Sequence, residues 1–191
     1  MNKLLCIVGL TGSGKTTVAD YIKEKGFFFI RFGQITLDEV RKQGLAPTEE
    51  NERPIREGFR KQYGMAAFAI LNYPKIDAGL EKGNVVCDGL YSWQEYVEMK
   101  KKYGESMITI AAVASPKTRY ARLASRIHDK DKDTEIRFRQ ASAEQAKSRD
   151  YAEIENIQKA GPIAMADYTI VNECSVQELY AEIEGIMKKI M

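Results

Sequence analysis

The sequence predicts an α/β fold built on a parallel sheet with helices on both faces. Three observations lead there. Short apolar runs alternate with helical stretches along the chain, the pattern of repeated βαβ units. The first run passes straight into the glycine-rich stretch GLTGSGKTT, Gly9 to Thr17. The chain closes on an amphipathic stretch, Val176 to Met191, with Leu179, Ile183, Ile186, Met187 and Ile190 at helical spacing.

Taken in order, KLLCIV (Lys3–Val8) is short, apolar and partly β-branched, and reads as a buried strand. Thr16 to Lys25 reads as a helix with Val18, Ala19 and Ile22 on one face, ended by Gly26. Four further runs read as strands: FFFIRF (Phe27–Phe32), NVVCDG (Asn84–Gly89), MITIAAV (Met107–Val113) and YTIV (Tyr168–Val171). A helix is expected to begin near Pro54, and another to follow MITIAAVASP. Two polar segments, residues 34–75 and 128–149, exceed what the minimal fold needs. They read as additions over the sheet edge where open α/β folds bind ligands.

No repeat, low-complexity tract or linker divides the 191 residues, so a single domain spanning 1–191 is expected. No apolar run approaches the roughly 20 residues needed to cross a bilayer, and the short run after Lys3 is no signal peptide. Cys6, Cys87 and Cys174 are scattered and odd in number, and Cys6 and Cys87 lie inside strand-like runs. That usage argues against a disulfide framework and for a reducing, cytoplasmic setting. A net charge of +2 is too small to argue for nucleic acid.

The chemistry begins at Gly9-x-x-x-x-Gly14-Lys15-Thr16, a complete G-x-x-x-x-G-K-[ST] pattern, with Thr11, Gly12, Ser13 and Thr17 filling out the loop. Backbone N–H groups of such a turn cradle phosphate oxygens, and the dipole of the helix it opens favours their charge. Gly12 and Gly14 let the backbone approach closely. Lys15 reaches the outer phosphates, and the Thr16 hydroxyl is suited to ligate Mg²⁺. The loop predicts a bound nucleotide triphosphate. Asp88 ends the apolar strand VVCDG and is the candidate carboxylate for organising that Mg²⁺.

Arginines form the third pattern. Arg53, Arg56 and Arg60 share one helical stripe, and Arg119, Arg122 and Arg126 form a second. Arg137, Arg139 and Arg149 lie in or beside the second polar segment. Such stripes are commonly only solvated faces. Beside a triphosphate site, however, arginine binds phosphate bidentately and neutralises charge on a transferring phosphoryl group. Arg126 and Arg149 are the expected donor-side catalytic arginines, with Lys15 and Asp88. Arg41, Arg56 and Arg60 are the expected acceptor-side ones. His128, in RIHDKDKD, reads as a solvated loop histidine.

Together GLTGSGKTT, the arginine-bearing segment after the second strand, VVCDG and the arginine-rich segment before the last strand resemble the P-loop nucleotide kinases. The match is closest to adenylate-kinase-like and dephospho-CoA-kinase-like small-molecule kinases. It covers nearly the whole chain, though only the loop is highly specific. It implies a P-loop NTPase three-layer fold, with a five-stranded parallel sheet in the order 2-3-1-4-5. It also implies that residues 34–75 grip the acceptor and residues 128–149 form a lid. ATP and Mg²⁺ are the implied cofactors, and a small-molecule nucleotide acceptor the implied partner of a monomer or homodimer. FGQITLDEVRKQGL resembles the start of an acceptor segment, bringing in Gly33 and Arg41. RDYAEIEN resembles a lid-helix motif with Arg149, and ADYTIVNECS a last strand and turn that puts Asn172 near the donor base.

The chain departs from the family in two places. Gly33-Gln34 stands where relatives have Gly-Asp, and Asp88-Gly89-Leu90-Tyr91 where several have Asp-Gly-Ile-Arg, so an expected arginine is missing. Phosphorylating a ribose hydroxyl calls for a base, which dephospho-CoA kinases place near the end of the second strand. Here that strand ends Arg31-Phe32-Gly33-Gln34, and the next carboxylate is Asp38. A nucleoside monophosphate offers a phosphate oxygen and needs arginine clamps instead. The expected reaction is therefore ATP-dependent transfer to a nucleoside monophosphate. Transfer to the ribose hydroxyl of dephospho-CoA, or a non-kinase ATP-binding regulator, are the alternatives. The Asn-Lys-x-Asp guanine motif of GTPases is absent.

Overall fold

The computed structural model describes residues 1–126 and 141–191. Its sheet contains β1 (Leu4–Val8), β2 (Phe28–Arg31), β3 (Val85–Asp88), β4 (Met107–Val113) and β5 (Tyr168–Val171). Every neighbouring pair is parallel, in the order β2-β3-β1-β4-β5. This is the implied sheet. The central strands form because their side chains are buried on both sides. Along β1, Leu4, Cys6 and Val8 join Phe32, Phe68, Ile76 and Met99 in one core. Leu5 and Ile7 join Val18, Ile22, Ile110, Leu179 and Ile183 in the other. A period of two with apolar residues in both phases makes a continuous hydrophobic run. Each such Leu or Ile contributes about 1.5–3 kcal/mol by leaving water.

Helices α1 (Lys15–Glu24) and α9 (Val176–Ile190) cover the second core, and α4 (Ala67–Lys82) and α5 (Trp93–Tyr103) the first. Leu179, Ile183, Ile186 and Met187 form the buried stripe of α9. Between β2 and α4 lie α2 (Gln34–Lys42) and α3 (Glu49–Tyr63), and α6 (Pro116–Ala124) follows β4. The segment before β5 carries α7 (Ala143–Ile157) and α8 (Ala160–Ala164). Cys6 and Cys87 are buried free thiols paired in register on β1 and β3, and Cys174 is exposed. Among the described residues no helix is long and apolar enough to cross a membrane.

Two boundaries differ from the sequence reading. The helix expected near Pro54 begins at Glu49, capped by the Thr48 side chain, which accepts from the Asn51 N–H. Glu49, Glu50 and Glu52 favour that start by facing the positive end of the helix dipole. The polar segment expected to close at residue 75 ends inside α4, which runs unbroken past Pro74. Ala67, Phe68, Ala69 and Ile76 bind that helix to the sheet, so its first half is core.

Candidate active site

β1 and β3 are neighbours with Ile7 beside Asp88, so their C-terminal tips stand side by side. The loop Gly9–Gly14 leaves β1 at this point and opens α1. Gly14 caps α1 with φ 97°, and a Cβ there would lie 2.2 Å from the Asn172 amide nitrogen. Only glycine fits. The Thr16 hydroxyl donates to Asp88 Oδ2 at 3.0 Å, and Lys15 Nζ donates to the Leu10 carbonyl at 3.0 Å. Burial, followed by the nearby charge of Lys159, pulls the Lys15 ammonium down to about 7, while Asp88 and Glu153 pull the other way.

Thr16 and Asp88 offer hard oxygen donors, the chemistry Mg²⁺ takes, and Mg²⁺ draws its remaining ligands from phosphate and water. Among the described residues no group of three or more His, Cys, Asp or Glu could hold a metal on its own. The donor pair therefore fits an ion that arrives with a nucleotide.

Opposite the loop stands α7. Glu153 is its centre: Oε1 accepts from Arg149 Nε at 2.9 Å and from Thr11 Oγ1 at 3.5 Å, and Oε2 from Lys159 Nζ at 2.6 Å. Burial alone would raise this carboxyl, but Lys159 and then Arg149 overcome it and hold it at about 2. Arg126 stands close to Arg149, and burial and then that neighbouring charge weaken its hold on its proton. The donor-side candidates Lys15, Asp88, Arg126 and Arg149 thus gather around one loop.

The remaining arginines of the second stripe hold the frame. Arg119 is buried and pairs with Asp150 of α7 at 2.6 Å, while also donating to the carbonyls of Thr11 and Ala114. Arg122 donates to the Asn172 carbonyl at 2.9 Å. Asn172 in turn donates to the Ser13 carbonyl at 2.9 Å and is itself buried. Its carboxamide is bonded to the loop because β5 ends directly beside the glycine-rich turn.

On the acceptor side the three expected arginines separate. Arg60 of α3 lies with its guanidinium 5.3 Å from the Phe68 ring centre, and its buried Nε has no hydrogen-bond partner among the described residues. Arg56 is held by Glu52 at 3.2 Å and by Glu49. Both carboxylates precede it on the same helical face, which is why they win it. Arg41 is exposed in the last turn of α2. Of the three, Arg60 packs over Phe68, Arg56 is paired on its own helix and Arg41 is exposed. His128, Arg137 and Arg139 lie outside the described residues, as does the stretch 128–140 of the expected lid.

Three charged residues absent from the sequence reading belong to this site. Glu153 and Lys159 are two, and Glu95 of α5 is the third. Glu95 is buried and accepts from the Tyr91 N–H at 2.7 Å and the Ser92 N–H at 3.1 Å, while its Oε1 has no hydrogen-bond partner among the described residues. Burial foremost pushes its carboxyl up to about 7. Tyr91, where an arginine was expected, folds back over Gly89: a Cβ on that residue (φ 96°) would come within 2.7 Å of the Tyr91 hydroxyl. The cation standing over its ring, 4.9 Å from the centre, is Lys159. Glu153 was within reach of the sequence, four residues after Arg149. Ser92-x-x-Glu95 reads only as a helix cap, and nothing local marks Lys159.

Loop, strand-end carboxylate, sheet order and an α7 that brings Arg149 to the loop define a P-loop protein with the architecture of the nucleotide and small-molecule kinases. Residues 5–152 match the AAA domain family, and the chain belongs to that family. It is 33% identical over 189 residues to the UPF0200 protein of Pyrococcus furiosus, covering 98% of this chain and 97% of that one. To the UPF0200 protein of Hyperthermus butylicus it is 31% identical over 187 residues, covering 98% and 94%. Among solved structures, TT1252 from Thermus thermophilus aligns with a TM-score of 0.64 at 16% identity, over 100% and 98% of the two chains. Shikimate kinase from Bacteroides thetaiotaomicron aligns at 0.59 and 14% identity, over 97% and 98%. At such identities the likeness speaks for the fold.

Proposed function

We propose that the chain transfers the γ-phosphoryl group of ATP to a small nucleotide-type acceptor, a nucleoside monophosphate. One observation carries the proposal. Lys15, Arg149 and Lys159 converge on the loop against two carboxylates, Asp88 and Glu153, with Glu153 bonded to two of the three cations. A recessed excess of positive charge is costly unless an anion completes it, and a triphosphate on the loop is that anion.

In this reading the loop N–H groups and Lys15 hold the β- and γ-phosphates. Thr16 and Asp88 hold Mg²⁺, which when bound spreads charge across the same oxygens. A phosphate oxygen of the acceptor forms a bond to the γ-phosphorus. The bond to the bridging oxygen breaks, and its electrons leave on ADP. No proton has to be removed. The end of β2 favours such an acceptor, because Gln34 there lies between Arg31 and Asp38 and supplies no base. Arg60 beside Phe59, Phe68 and Tyr91 suits a charged acceptor carrying a flat ring. Transfer to a hydroxyl is the second reading, favoured by the architecture shared with shikimate kinase and with gluconokinase from Sinorhizobium meliloti.

A coupled ADP-release screen over nucleoside monophosphates, deoxynucleotides, dephospho-CoA, shikimate and gluconate tests the proposal. Turnover with a monophosphate alone bears it out. Turnover only with a hydroxyl acceptor moves the assignment to the second reading. ATP binding with no acceptor-dependent ADP release makes the chain a nucleotide-binding regulator.

A further inference from the structure

Lys159 is a lysine of 1% exposure at the junction of α7 and α8. The chain reaches it through Gln158, a non-glycine residue with φ 52°, which ends α7 and lets the Lys159 side chain run back along the helix to Glu153. Its Nζ lies 2.6 Å from Glu153 Oε2 and 4.9 Å from the Tyr91 ring centre. Glu153 also touches Thr11 of the loop, and Tyr91 follows Asp88 by three residues. Lys159 is therefore flanked on one side by the donor loop and on the other by the wall that carries Tyr91, Phe68 and Arg60.

A lysine this buried normally serves as one half of a closed ion pair, with its remaining donors bonded. Here the pair is not closed. Glu153 divides its charge between Lys159 and Arg149, and one of the three ammonium donors has a named acceptor among the described residues. Lys15, recessed in the same site, is bonded to a carbonyl and, among the described residues, to no carboxylate.

We propose that Lys159 is a catalytic cation, held by Glu153 so that its ammonium contacts the γ-phosphoryl group between donor and acceptor. Lys15 and Lys159 then hold that group from two elements: Lys15 from the loop, Lys159 from the wall the acceptor meets. The proposal rests on the reading that ATP occupies the loop.

Calorimetric titration of ADP and of the non-hydrolysable β,γ-imido analogue of ATP, each with Mg²⁺, provides the test. Lys159→Met is expected to bind ADP within about twofold of wild type and the imido analogue about tenfold or more weakly, the loss of one charge-assisted contact to the γ-phosphate. Lys159→Arg should fall between. Where an acceptor is known, Lys159→Met should lower kcat by about 10²–10³, with a smaller change in the KM for acceptor. Glu153 is left buried without its lysine in Lys159→Met, so Lys159→Met/Glu153→Gln, which removes both charges, carries the same comparison if the single variant fails to fold. ADP and imido-analogue affinities that change by the same factor, or not at all, overturn the proposal. If wild type binds both nucleotides but transfers to no acceptor, the kinase reading falls and the affinity ratio still decides Lys159. If wild type binds neither, both fall together.

Discussion

The Thr16 hydroxyl and the Asp88 carboxylate meet at 3.0 Å, joining the first turn of α1 to the tip of β3. The contact exists because β1 and β3 are sheet neighbours in parallel register, which brings the loop after one beside the end of the other. Asp88→Asn keeps a hydrogen-bond partner for Thr16 and removes the charge. The fold should survive, while the Mg²⁺ concentration needed for half-maximal turnover rises about tenfold or more, as for loss of a charged metal-organising ligand. Superimposable Mg²⁺ titrations of the two proteins would reduce Asp88 to a strand-end residue.

Arg56 and Arg60 are four residues apart on α3 but have different fates. Arg60→Ala should weaken acceptor binding by about 1.5–3 kcal/mol, the worth of a charge-assisted hydrogen bond. Arg56→Ala should lower stability by only about 0.5–1 kcal/mol, because it removes a partly exposed pair with Glu52 and Glu49. Kinetics with both substrates varied, read beside urea melts, separate the two. An acceptor KM that moves equally in both variants restores the clamp of two arginines.

These two residues also show how far the sequence could be read. The central strands β1, β3 and β4 were legible because both of their faces are largely buried, and the loop because its glycines and Lys15-Thr16 have few other uses. Arg56 is paired with Glu49 and Glu52, which precede it on its own helix, so a stripe of one charge has to be read together with the opposite charges flanking it. Lys159 and Glu95 were invisible for another reason. Burial of a charged side chain is decided by elements distant in sequence, here α7 against the loop and α5 against β3. Asn172 is expected near the donor base, and β5 brings it so close to the loop that its amide bonds the Ser13 carbonyl.

Glu95 gives a pH dependence with a definite sign. Its carboxyl lies at about 7 in the folded chain against an ordinary 4.5, chiefly through burial. Between those values the folded state binds more protons than the unfolded state, so this group makes stability fall as pH rises, and its cost is complete above about pH 7. Glu95→Gln does not titrate. The urea midpoint of the variant, relative to wild type, should therefore rise between about pH 5 and about pH 8. A constant difference across that range would mean that Glu95 titrates alike in both states.

Arg119 makes the contrast between frame and chemistry testable. Its guanidinium and the Asp150 carboxylate are both buried, and the pair links α6 to α7 while Arg119 also donates to Thr11 of the loop. Tyr120 donates to the same carboxylate at 2.9 Å. Arg119→Met leaves Asp150 buried without its cation, which should cost about 3–5 kcal/mol. Arg119→Met/Asp150→Asn removes both charges and should recover a large part of that loss. Turnover per folded molecule in the double variant should stay within about threefold of wild type, since a frame residue acts on stability far more than on the transition state. Urea melts combined with initial rates under folding conditions supply both numbers. A double variant that is stable yet has lost about a hundredfold or more in kcat would place Arg119 among the groups that act on the phosphoryl group, and the division of the stripe into frame and site would have to be redrawn.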